Sequence, residues 1–88
     1  MGNKAKVMLY ALSTCIWCRK TRALLDSLGV KYDYTYVDLL EGQARTDAEA
    51  EVEKHNPAGS YPTLLVGGKC IVGFKEDEIK EEFSNGGK

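Results

Sequence analysis

Two cysteines, Cys15 and Cys18, are separated only by Ile16 and Trp17. Two thiols one helical turn apart can cycle between dithiol and disulfide when one is held as a thiolate and the other waits as a thiol. Their positions in the chain favour that division. Cys15 falls where an apolar run ends and a helical pattern begins, so unpaired backbone N–H groups and the positive end of the helix dipole stabilise a negative sulfur there. Arg19, Lys20 and Arg22 follow within two turns and are expected to add positive potential. Cys18 sits one turn further into the helix, where it is expected to be more buried and to stay protonated until needed. The chemistry of such a pair is disulfide exchange: Cys15 attacks a disulfide, a mixed disulfide forms, and Cys18 displaces the product.

Two blander uses of the pair compete with this one. A structural zinc site wants four ligands, usually as two close pairs, and the further candidates, Cys70 and His55, are not in a ligand-spaced pair. Inert packing is the other, but a buried inert cysteine seldom opens a helix. The expected metal ligand set is therefore empty.

The elements that must position the pair can be read from periodicity. Lys6–Leu12 is a short apolar run with β-favouring Val7 and Tyr10, a buried first strand. Ser13 and Thr14 offer side-chain caps for a helix from about Cys15 to Leu28, whose buried face is Cys18, Thr21, Leu24, Leu25 and Leu28. Gly29 stands where a left-handed C-terminal cap belongs. From Lys31 to Val37 the residues alternate, with Tyr32, Tyr34 and Tyr36 on one face of a second strand.

Gln43–His55 reads as a second helix with a thin apolar stripe of Ala44, Ala48 and Val52. Asn56–Ser60 is a loop. Thr63–Val66 and Lys69–Val72 flank Gly67-Gly68 as a tight antiparallel hairpin. Glu76, Asp77 and Glu78 open a last helix that buries Ile79 and Phe83, with Phe74 positioned to staple its start and residues 84–88 expected to fray.

The order is β-α-β-α-β-β-α. The first two strands flank a helix and should be parallel through a right-handed crossover. The fold class is therefore α/β, a four-stranded mixed sheet flanked by three helices, in a single domain over residues 1–88.

Composition narrows the partners. Lys plus Arg total 12 and Asp plus Glu 13, so the net charge of -1 supports neither a nucleic-acid nor an anionic-membrane partner. No apolar run approaches the ~20 residues of a membrane span. The basic start Met1–Lys6 precedes an apolar run too short for a signal-peptide core, and Lys6 occupies the position where a myristoylation motif at Gly2 wants Ser or Thr. Three cysteines are an odd, low count for a secreted disulfide framework. A cytoplasmic monomer is expected.

Taken together, the first strand, the Cys15-Ile16-Trp17-Cys18 helix start, the Tyr61-Pro62-Thr63 step, the Gly-Gly hairpin and Gly73-Phe74 occur in an order and spacing that resembles the glutaredoxins, from about Lys6 to Phe83. The resemblance implies a thioredoxin fold, and a cis Tyr61–Pro62 bond lying against Cys15, where base rates alone would make that bond trans. It implies that Tyr61 pairs its backbone with the bound substrate thiol, and that Gly73 and Asp77 border a glutathione γ-glutamyl site. Thr14, Ile16, Trp17, Tyr61, Pro62, Gly73, Phe74 and Asp77 are thus the candidate substrate- or glutathione-binding residues, beside catalytic Cys15 and Cys18. The implied partners are disulfide-containing proteins and either glutathione or a thioredoxin-reductase-type flavoprotein, with no tightly bound cofactor.

The chain also departs from the family pattern. Ile16-Trp17 replaces the usual Pro-Tyr, and Leu12 occupies a position that is often basic and holds glutathione. Phe74 follows Gly73, which resembles the glutaredoxin-like hydrogen donors of ribonucleotide reductase, recharged by thioredoxin reductase. Some glutaredoxins bridge a [2Fe–2S] cluster between two subunits, so the resemblance carries an alternative, an iron–sulfur carrier using Cys15 and glutathione in a dimer.

The remaining chemical residues have structural explanations. Cys70 is a small strand residue, His55 complements a helix C-terminus, the tyrosines of the second strand are packing, and Glu76–Glu82 is a solvated face. Trp17 is the apolar residue expected to be exposed for contact with substrate.

Overall fold

A computed structural model of the chain describes residues 6–86. The basic start at residues 1–5 and the last two residues lie outside that range. The elements run β1 (Val7–Ala11), α1 (Ile16–Ser27), β2 (Asp33–Tyr36), a 3-10 turn (Val37–Leu39), α2 (Gly42–His55), β3 (Thr63–Val66), β4 (Lys69–Val72) and α3 (Glu76–Gly86). The hairpin strands have the bounds expected from the Gly67-Gly68 turn, and Gly67 takes φ +60°, which glycine adopts without steric cost.

The sheet order is β2-β1-β3-β4. β1 and β2 are parallel with a constant register in which Met8 faces Asp33 and Ala11 faces Tyr36. β3 is antiparallel to both β1 and β4. The expected mixed sheet is present.

Leu9, Leu64 and Ile71 fall in one register row across three strands and are essentially inaccessible. Cys18 and Leu25 of α1 and Ile79 of α3 close over that row. Each such aliphatic side chain contributes about 1.5–3 kcal/mol on burial, so the core is also what pins α1 to the sheet. The opposite face carries Tyr10 and Thr63, paired across β1 and β3. Val37, Val52 and Pro62 are buried apolar residues outside the first cluster. α2 contributes only Val52, as its thin stripe predicts.

Several expectations need correction. Leu28 is exposed rather than on the buried face of α1, because the chain already turns there: Gly29, at φ +71°, donates to the Asp26 carbonyl and Val30 to that of Leu25. The second strand is shorter than Lys31–Val37, since the backbone tightens into the 3-10 turn at Val37. α3 is helical through Gly86.

Candidate active site

The loop after β1 delivers Cys15 to the start of α1, and Cys15 itself is the N-cap. Its backbone is extended (φ -89°, ψ 119°), and its Sγ accepts the Cys18 N–H at 3.2 Å. Its carbonyl accepts the Arg19 N–H, and its own N–H closes a turn onto the Leu12 carbonyl, both at 3.2 Å. Thus the cap is not Ser13 or Thr14. A sulfur occupies the place usually taken by a hydroxyl or carboxylate oxygen, where a helix offers unpaired N–H donors.

Cys18 is fully buried and belongs to the core cluster, while Cys15 is only half-buried at its edge. Burial, reinforced by the hydrogen bond and charge of Cys15, pushes the Cys18 thiol up to about 12. Both cysteines are free thiols, as is half-buried Cys70, whose thiol burial also raises.

The cations near the pair are not all directed at it. Lys20 lies over the Trp17 ring, 5.5 Å from its centroid. Arg22 packs into the tyrosines in and just before β2. Its guanidinium stacks 3.7 Å from the Tyr34 centroid and donates to the Tyr32 and Tyr36 hydroxyls at 3.1 and 2.8 Å. These contacts hold α1 to the edge strand.

Beside the pair, Trp17, Tyr61, Pro62, Gly73 and Phe74 line a groove of about 260 Å³. The Trp17 and Phe74 rings stack with centroids 6.0 Å apart and planes at 26°. Phe74 therefore lies against Trp17 instead of acting only as the expected staple for α3. The Tyr61–Pro62 bond is cis, and the Pro62 carbonyl accepts the Gly73 N–H at 2.9 Å, tying the two rims of the groove together. Trp17 is 54% exposed, which gives this aromatic wall to solvent.

The other candidates are not gathered here. Asp77 lines a depression of about 360 Å³ with Lys75, Glu76 and Glu78 at the start of α3. Thr14 is exposed and Ile16 is 59% exposed on the outer side of the helix start. His55 is paired with Glu51 at 3.2 Å. Among the described residues, no three His, Cys, Asp or Glu side chains converge as a closed zinc site requires.

Two contributors escaped the sequence reading. The Asp38 carboxylate accepts both the Ser13 N–H and the Ser13 hydroxyl, at 2.8 and 2.6 Å. Asn56, only 5% exposed, donates from its side-chain nitrogen to the Ser60 carbonyl, the Ser60 hydroxyl and Thr63 Oγ1, at 3.0, 3.2 and 3.1 Å. It thereby braces the loop that leads into Tyr61–Pro62. A polar residue ending a helix and followed by proline was the available signal for Asn56.

Residues 7–71 match the family model described as Glutaredoxin. The chain belongs to the glutaredoxin family. Among solved structures, a glutaredoxin from Methanosarcina mazei Go1 is 53% identical, with 89% of this chain and 77% of that chain covered and a TM-score of 0.83. Methanoredoxin from Methanosarcina acetivorans is 47% identical over 89% of this chain and 83% of that one, with a TM-score of 0.86. The glutaredoxin-like NrdH-redoxin from Escherichia coli, 21% identical over 86% of this chain and 92% of that one, has a TM-score of 0.68, a likeness of fold. The expected thioredoxin/glutaredoxin fold is therefore present, with a Cys15/Cys18 pair where α1 begins.

Proposed function

We propose that this glutaredoxin-family protein is a thiol–disulfide oxidoreductase that reduces protein or glutathione mixed disulfides through Cys15 and Cys18. One observation carries the proposal: the Cys15 sulfur sits at the mouth of α1 accepting the Cys18 N–H at 3.2 Å, while the Cys18 thiol is fully buried behind it. The accessible sulfur is the one that the helix can hold as an anion. Its partner is kept neutral within reach.

The Cys15 thiolate attacks one sulfur of the substrate disulfide; that S–S bond breaks, and the departing thiolate takes a proton from solvent. With Cys15 in the mixed disulfide, its anionic charge no longer opposes ionisation of Cys18. The Cys18 thiol loses its proton and attacks the Cys15 sulfur, releasing the second product thiol and leaving a Cys15–Cys18 disulfide. Two electrons from glutathione, or from a thioredoxin-reductase-type flavoprotein, restore the dithiol. The groove formed by Trp17, Tyr61, Pro62, Gly73 and Phe74 receives the chain next to the substrate cysteine, with the Tyr61 backbone alongside it. The working unit is a cytoplasmic monomer with one domain and no tightly bound cofactor.

A coupled assay tests this. NADPH consumption is followed on a glutathione mixed disulfide and on a protein disulfide, with glutathione plus its reductase in one arm and thioredoxin reductase in the other. Turnover in at least one arm is expected, and Cys18→Ser should keep part of any glutathione-dependent activity because glutathione can resolve the intermediate itself. Absence of turnover in every arm would overturn the proposed activity.

A further inference from the structure

The parallel pairing of β1 and β2 keeps a constant offset of 25 residues, from Met8 opposite Asp33 to Ala11 opposite Tyr36. Beyond those residues the backbone ladder stops: β1 runs into the loop before Cys15, and β2 tightens into the 3-10 turn. Ser13 and Asp38 lie two residues past the last pair on each strand and keep the same separation of 25. The Asp38 carboxylate takes the place of the missing strand backbone, accepting the Ser13 N–H at 2.8 Å and its hydroxyl at 2.6 Å. Bonds to an ionised acceptor are stronger than neutral ones.

The segment so held is short. Ser13 lies inside the turn that the Cys15 N–H closes on the Leu12 carbonyl, and Cys15 is the next residue but one. A rotation at Ser13 would therefore move the sulfur relative to the Cys18 N–H it accepts. We propose that Asp38 is a positioning residue of the active site, whose clasp on Ser13 extends the β1–β2 pairing into the loop and sets where the Cys15 sulfur stands. This rests on Cys15 being the attacking sulfur.

Two further features agree with the geometry. The Ser13 hydroxyl and then its N–H hold the Asp38 carboxyl below its usual range, so the acceptor is ionised at neutral pH. Its charge also reaches Cys18, adding to the effects that keep that thiol neutral. Asp38 thus opposes negative charge on Cys18 while holding the loop in place.

The test separates clasp from charge. Asp38→Ala removes both; Ser13→Ala removes the hydroxyl bond and keeps the charge; Asp38→Asn keeps an acceptor for the Ser13 N–H, and its amide can donate to the hydroxyl, while the charge is lost. Iodoacetamide alkylation of Cys15 at pH 7, mapped by mass spectrometry, reads position without requiring any reductase activity. Because small misplacements at a reacting atom are costly, Asp38→Ala should slow alkylation about tenfold, Ser13→Ala about threefold, and Asp38→Asn should return to within about twofold of wild type.

Thermal melts identify any variant that fails to fold, in which case the other two decide. Wild-type alkylation rates in both alanine variants, or an Asp38→Asn protein as slow as Asp38→Ala, would overturn the proposal. A wild-type Cys15 that alkylates no faster than a free thiol would instead count against the attacking role of Cys15.

Discussion

Replacing Cys15 with serine should leave Cys18 nearly inert to alkylation, although the protein then carries an unopposed thiol at its catalytic centre. The magnitude follows from the environment of that thiol. Cys18 is 0% exposed and is pushed up to about 12, whereas a free cysteine ionises near ~8.5. At pH 7 the folded protein therefore presents roughly 10³-fold less Cys18 thiolate than a free cysteine would. Burial is the largest cause and survives the substitution, while the hydrogen bond and charge from Cys15 do not. The expected deficit in Cys15→Ser is thus roughly 10²-fold.

Pseudo-first-order alkylation with iodoacetamide at pH 7 measures it, and peptide mapping distinguishes Cys18 from half-buried Cys70. If Cys18 in that variant reacted as fast as a free cysteine, burial would not control its protonation, and the division of labour between the two sulfurs would collapse.

Other outcomes follow from the same geometry. Trp17→Ala removes the exposed ring that lines the groove; an aromatic contact with the substrate chain is worth about 0.5–1.5 kcal/mol, so KM for a protein disulfide should rise roughly three- to tenfold in steady-state assays, and an unchanged KM would exclude the ring from substrate binding. Asn56→Leu breaks three side-chain hydrogen bonds around the loop before Tyr61. Losing these bonds, with Thr63 Oγ1 the buried acceptor among them, should cost about 2 kcal/mol and lower Tm by roughly 10 °C, as read by calorimetry. The raised Cys18 thiol also gives the reduced protein an alkaline weakness. Its folded value of about 12 lies above the unfolded value of ~8.5, so its contribution to stability is complete below the latter and is lost as pH rises toward the former. Urea unfolding between pH 7 and 11 should show a steeper alkaline decline for wild type than for Cys18→Ala, and parallel declines would contradict it.

The parts of the fold that local chemistry dictates were readable without coordinates. Gly67-Gly68 between two β-rich runs specifies the hairpin to the residue, and the three- and four-residue spacing in α1 identifies Cys18 as buried. What escaped depended on residues distant in sequence. Ser13 has the composition of a helix cap, but its donors are taken by Asp38 across the end of the sheet, which leaves Cys15 to cap α1 with its own sulfur. Arg22 is one turn from Cys18 in sequence, yet its guanidinium engages Tyr32 and, in β2, Tyr34 and Tyr36. Phe74 and Trp17 are 57 residues apart and meet only because β4 ends beside the mouth of α1. Asp77, which the family resemblance places at the border of a glutathione γ-glutamyl site, lines a depression with Lys75, Glu76 and Glu78 at the start of α3.

The most direct test is to treat Cys18→Ser with one equivalent of an aromatic disulfide at pH 7 and locate the adduct by mass spectrometry. Release of one thiolate per protein, with a stable mixed disulfide on Cys15, is the predicted result. An adduct on Cys70, or a Cys15 that stays unmodified, would show that the sulfur capping α1 is not the nucleophile.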